Sequence, residues 1–102
     1  MTEARIACRT PAKGREGASN IPEWKFDAMR AAILSSLEDG PMTIHAVKDA
    51  VRRRLSDEDL AKLGSVMWHV MTVKLELEVR GEIARIEGST PQQLCLSEGL
   101  RT

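Results

Sequence analysis

Aromatic residues are scarce: two tryptophans, one phenylalanine and no tyrosine, 3% of the chain. A core built from this sequence must therefore be aliphatic. Cysteine is scarce too. Cys8 and Cys95 are too few for a disulfide framework or for a zinc site of their own, and they suit the reduced thiols of a cytoplasmic protein. An excess of one charge is missing, because 15 Lys+Arg balance 15 Asp+Glu. That balance excludes a strongly basic nucleic-acid coat, a polybasic membrane anchor and an acidic solvating tail. No apolar run approaches the roughly 18 residues of a membrane span. The N-terminal MTEARIACRT lacks the apolar stretch of a secretory signal. The expectation is a cytoplasmic protein with no membrane partner. What remains is ordinary: 102 residues, 42% hydrophobic and 29% charged, enough for one small domain.

Residues 1–20 are small, contain glycine and show little periodicity. They offer too little apolar surface to offset their ordering entropy, so a flexible N-terminal arm is predicted. Its cations Arg5, Arg9, Lys13 and Arg15 outnumber Glu3 and Glu16. The arm reads either as a plain tail or as a basic arm reaching a phosphate backbone.

Asn20-Ile21-Pro22-Glu23 combines a cap residue, an early proline and a glutamate three places on. Phe26, Met29, Ile33 and Leu37 then repeat at helical spacing until Gly40-Pro41, which predicts a first helix over about 21–38. Met42-Thr43 is a short extended link. Thr43 caps a second helix over about 44–54, with Ile44, Val47, Val51 and Leu55 on one face. Arg52, Arg53 and Arg54 sit in its last turn, where they suit the helix dipole. Ser56-Asp57-Glu58-Asp59 opens a short helical turn through Leu60 and Leu63. Ser65 caps a third, long helix over about 66–80, ended by Gly81. Glu82–Glu87 and Gln92–Leu96 flank the turn residues Gly88–Pro91 and read as a β-hairpin. Residues 97–102 read as a frayed tail.

The long helix carries two apolar stripes. Val66, Val70, Val73 and Leu77 share one face; Trp68, Met71, Leu75 and Val79 share the opposite one. Polar residues divide them: His69, Thr72, Glu76 and Arg80 on one flank, Lys74 and Glu78 on the other. A helix with one buried face needs one stripe. The second stripe is therefore expected to serve as a partner, dimer or docking surface. The alternative is cover by Ile6 and Cys8 of the arm or by Leu100 of the tail.

Three helices, an extended link after the first and a closing hairpin resemble the winged helix-turn-helix family. The residues that carry the likeness are Val73–Arg85 (VKLELEVRGEIAR) and Gly40–Ile44 (GPMTI). The resemblance covers about 21–96. It implies an α+β, mainly helical fold: three helices followed by a C-terminal hairpin wing. It implies DNA binding and transcription-associated regulation. Val70, Val73 and Leu77 would be core positions of the recognition helix. Ser65, Met67, Trp68, His69 and Thr72 would be its outward, groove-facing positions. Arg85 and Gly88–Pro91 would form the wing. Lys48, Arg52, Arg53, Arg54, Lys74 and Arg85 are the cations available to phosphates.

The sequence also departs from that pattern. The first turns of the long helix offer no Arg, Asn, Gln or Lys for base reading, and Glu76 and Glu78 follow Lys74. The alternative function is a module that keeps the fold but binds protein, itself or another, through the third helix. An enzyme is not expected. His45 and His69 lack metal-ligand spacing and an adjacent nucleophile. Ser35-Ser36 has no nucleophile elbow, and Gly14 and Gly17 form no phosphate-binding motif. No cofactor or metal is expected. His69 is either solvated or a groove contact, and Trp24 is a packing residue. Cys95 alternates with Leu94 and Leu96; it is a structural residue or a solvent-facing thiol.

Overall fold

The computed structural model describes residues 4–10, 14–88 and 90–97, the side chains of 14–17 excepted. Among them the elements run β1 (Arg5–Thr10), β2 (Gly14–Pro22), α1 (Glu23–Leu37), β3 (Met42–Thr43), α2 (Ile44–Arg54), α3 (Asp57–Leu63), α4 (Val66–Arg80), β4 (Ile83–Ile86) and β5 (Gln93–Leu96).

Three helices begin on hydroxyl caps. Thr43 Oγ1 accepts the Ala46 N–H at 3.2 Å, Ser56 Oγ the Asp59 N–H at 3.1 Å, and Ser65 Oγ the Trp68 N–H at 3.1 Å. Each satisfies a donor that the first turn of a helix leaves open. Gly81, at φ +76°, closes α4 in the left-handed conformation, and its N–H turns back to the carbonyls of Glu78 and Leu77. The expected boundaries of α2 and α4 match the structure, and the short turn after Ser56 is a helix in its own right, α3.

The first helix starts differently from expectation. Pro22, not Asn20, holds the cap position, and no side chain caps it. The Glu23 N–H instead donates to the Ala4 carbonyl at 2.8 Å. Asn20 lies in β2 opposite Ala7. The residue leading into β1 supplies the acceptor that a cap side chain otherwise provides.

That strand overturns the expected flexible arm. β1 and β2 pair antiparallel, with Arg5 opposite Pro22 and Cys8 opposite Ser19 and an irregularity between Cys8 and Thr10. β1 packs against α4. Cys8 and Ile21 are each only 2% exposed and join the core, with Ile6 packed at its edge. The segment orders because its few apolar side chains are completed by a surface far along the chain, which composition alone does not reveal. The ordered part therefore starts well before residue 21. Residues 98–102, including Leu100 as a cover for α4, lie outside the described residues, as does Ser89 of the hairpin turn.

The core is aliphatic, as the composition requires. Met29 and Ile33 of α1, Val47 and Val51 of α2, and Val70, Val73 and Leu77 of α4 are fully buried, with Ile83 and Leu94 of the hairpin beside them. β4 and β5 form the expected hairpin, pairing Ile83 with Leu96 and Ile86 with Gln93. The link β3 adds to it, with Met42 opposite Leu94, so the sheet order is β3-β5-β4. The described architecture is α+β, with four helices and two small antiparallel sheets.

Candidate functional site

The two stripes of α4 meet different fates. Val66, Val70, Val73 and Leu77 are buried. On the opposite stripe Trp68 is 47% and Met71 39% exposed, while Leu75 and Val79 are half-buried. The first two turns of α4 thus present large apolar side chains to solvent. The last two lie where Arg9 of β1 reaches the helix.

The flanks between the stripes carry buried charge. Glu76 is 1% exposed and accepts from Arg9 three times: from its backbone N–H at 2.8 Å, Nε at 3.0 Å and Nη2 at 2.7 Å. Arg80 Nε adds a fourth bond to the same carboxylate at 2.8 Å. Burial alone would push the Glu76 carboxyl up, but the hydrogen bonds from Arg9 and Arg80 outweigh it and hold the group at about 2. The Arg80 guanidinium also lies over the Phe26 ring, 4.6 Å from its centre. A second cluster sits on the other flank. Lys74 Nζ donates to Glu78 Oε2 at 3.0 Å, and Arg85 Nε donates to Glu78 Oε1. A third pair, Arg30 with Glu82, joins α1 to the residue before β4 through two bonds of 2.8 Å.

These clusters redistribute the residues expected to contact DNA. Lys74 is 5% exposed and Arg85 is bound, both on one carboxylate, so neither presents a free cation to a phosphate. His69 is buried rather than solvated or groove-facing. Its Nδ1 lies 2.7 Å from the Ser65 carbonyl, which can only accept, so Nδ1 is the donating nitrogen. Burial lowers its pKa, the Ser65 carbonyl opposes that, and nearby Lys25 adds to the lowering. Its ring meets Trp68 edge-on at 4.8 Å. Ser65 spends its hydroxyl on the cap, and Thr72 is half-buried. Arg54 turns toward Ser35 Oγ at 3.3 Å and the Ala50 carbonyl at 3.4 Å. Lys48 lies 3.9 Å from Asp49. Arg52 and Arg53 are exposed, and no ion pair holds them among the described residues.

Beside Met71 a cleft of about 300 Å³ opens between the start of α2, the middle of α4 and the approach to β5. Ile44, Met71, Pro91 and Leu94 give it apolar walls, and His45 and Lys74 also line it. Sequence reasoning did not assemble this cleft, because its residues come from three separate stretches of chain. It also missed the Arg9–Glu76 tie. The two-residue spacing of Ile6 and Cys8, flanked by Arg5 and Arg9, is the available sign of a strand.

Among the described residues, no group of three His, Cys, Asp or Glu is placed to hold a metal ion. No helix among them is long and apolar enough to cross a membrane.

These features define a small α+β domain with an open apolar face on its last helix. The chain belongs to a family of unknown function, DUF6958, matched over residues 5–94. The match begins at β1, so the N-terminal hairpin falls within the family's unit. No curated protein and no solved structure matches the chain.

Proposed function

We propose that this chain is a winged-helix module without enzymatic activity that pairs with a second copy of itself through the outer face of α4. One observation carries the reading. The first turns of α4 offer Trp68 and Met71 to solvent, while the neighbouring cations Lys74 and Arg85 are both spent on Glu78. Such a face gains by excluding water and has little to offer a phosphate backbone. The winged-helix part of the reading draws support from the sequence α1, β3, α2, α4, β4, β5, with the short α3 inserted before α4, and from β3 pairing with β5.

A second copy is the occupant that suits this face best. A two-fold interface joins the same patch on both subunits, so the patch must be compatible with itself. Ser65, Trp68, Met71, Thr72 and Leu75 are all uncharged. The chain as a whole is neutral, so no net repulsion opposes self-approach. Sedimentation across a range of concentrations tests this: mass should rise from monomer to dimer, and Trp68→Ala with Met71→Ala should restore the monomer with an unchanged circular dichroism spectrum. A chain that stays monomeric at every concentration overturns the reading.

Duplex DNA binding is the second reading, favoured by Arg52 and Arg53 at the end of α2, which are exposed and have no ion pair among the described residues. Titrating a mixed-sequence duplex at low and physiological salt decides it. Binding that falls steeply with salt and is lost in Arg52→Ala/Arg53→Ala supports it; no binding at low salt removes it.

A further inference from the structure

The cleft beside Met71 combines apolar walls, a ligand-sized volume and charge of one sign. Its walls are mostly apolar: Ile44, Met71 and Leu94 come from three different elements. Its volume, about 300 Å³, lies at the lower end of pockets that enclose a small organic ligand. Its charge is one-sided. Lys74 lines it with a side chain 6% exposed, and no Asp or Glu lines it.

The balance around Lys74 leaves positive charge over. Glu78, itself 8% exposed, is the single carboxylate shared by Lys74 and Arg85. Two cations on one anion leave the trio with one unit of positive charge. An ammonium carries three donors, and the Glu78 bond uses one of them. Arg85, 44% exposed, holds its share of that charge toward solvent, so the cation at the cleft is Lys74, whose burial leaves it less screened than a surface ammonium. His45, Gln92 and the cap residue Thr43 also line the cleft.

We propose that this cleft binds a small monoanion with an apolar body, a carboxylate carried on a short aliphatic or aromatic group. The carboxylate meets Lys74 at the inner end, and the apolar body covers Met71 and lies against Ile44 and Leu94. The cleft is lined by residues of one chain, but Met71 also lies on the face proposed for pairing, so ligand and second copy compete for it and binding is read at concentrations where the chain is monomeric.

Hexanoate and phenylacetate are the probes, with 1-hexanol and hexylamine as the neutral and cationic counterparts. Each is titrated into the full chain while backbone amide signals are followed by NMR, with mass measured separately by sedimentation. The two acids should shift the signals of Ile44, Met71 and Leu94 with dissociation constants on the order of 1 mM or tighter. The alcohol should bind at least tenfold more weakly and the amine not at all. Lys74→Met, which keeps the length and loses the charge, should weaken the acids at least tenfold, and Met71→Trp should close the cleft to all probes. The proposal is overturned if neither acid shifts these signals, or if the amine binds as well as the acids. Should Lys74→Met fail to fold, the acid, alcohol and amine series on the unaltered chain decides alone. A chain held monomeric by dilution that still binds no acid would sink only the cleft, and acid binding to a chain that is monomeric at every concentration would sink only the pairing.

Discussion

Arg9 and Glu76 stand 67 positions apart and share three hydrogen bonds, one of them from the Arg9 backbone. A strand is thereby fastened to a helix by a carboxylate that is almost wholly buried. Replacing Glu76 by Gln keeps the volume and removes the charge. Arg9 and Arg80 are each 36% exposed and stay hydrated, so no buried charge is stranded. The expected loss is about 1–3 kcal/mol of stability, read as a lower denaturant midpoint. Amide exchange in β1 should accelerate more than in α2. If β1 exchanges as before, something other than this tie holds the hairpin.

The same carboxylate gives the protein an acid limit. Glu76 is held at about 2, below its ordinary 4.5. Its stabilising contribution is therefore complete above about 4.5 and is lost as pH falls toward about 2. Arg30 lowers Glu82 in the same direction. His69 adds an earlier stage. Its lowered pKa means that the folded protein prefers the neutral ring, so its contribution is full above 6.5 and declines as pH falls below that value. Unfolding midpoints across pH 2–8 should show both descents. Glu76→Gln should make the lower one shallower, and His69→Asn, which retains a donor for the Ser65 carbonyl, should remove the upper one. A wild-type profile flat from pH 7 to pH 5 would contradict the role given to His69.

How far these features were legible in the sequence depends on the reach of the signal. Thr43, Ser65 and Gly81 mark their helix ends through bonds to residues three or four places away, so those ends are legible in the sequence. Leu94 and Leu96 alternate with Cys95 within a few residues, and the hairpin was read too. The β1–β2 hairpin was not, because its order comes from α4, more than 60 positions on. His69 was placed on a polar flank, where helix spacing put it. It is buried because neighbours outside the helix close over that flank and the Ser65 carbonyl, one turn back, satisfies its Nδ1. The cleft fared worst: no local pattern joins Ile44, Met71 and Leu94.

The two stripes of α4 should separate cleanly by mutation. Leu77 is fully buried, and Leu77→Ala removes methyl groups from a packed core at a cost of about 2–5 kcal/mol. Trp68 is nearly half exposed, and Trp68→Ala should change stability by less than about 1 kcal/mol. Urea unfolding of the two variants at low protein concentration checks the contrast. A Trp68→Ala loss as large as that of Leu77→Ala would mean that the outer face is structural within one chain.

The two cysteines should differ in reactivity for a reason visible in their strands. Cys8 points inward from β1. Burial, and secondarily the charge of Glu76, pushes its thiol up to about 11. At pH 8 only about one in a thousand such thiols is ionised, and the thiolate is the reacting species. Cys95 is half-buried on β5, on the opposite side from the buried Leu94 and Leu96. Brief treatment with iodoacetamide at pH 8, followed by peptide mass analysis, should label Cys95 well ahead of Cys8. Both should label in denaturant, and Glu76→Gln should expose Cys8 by loosening β1. Equal labelling of the two thiols in the native protein would show that β1 opens readily, and that the Arg9 tie does not hold it closed.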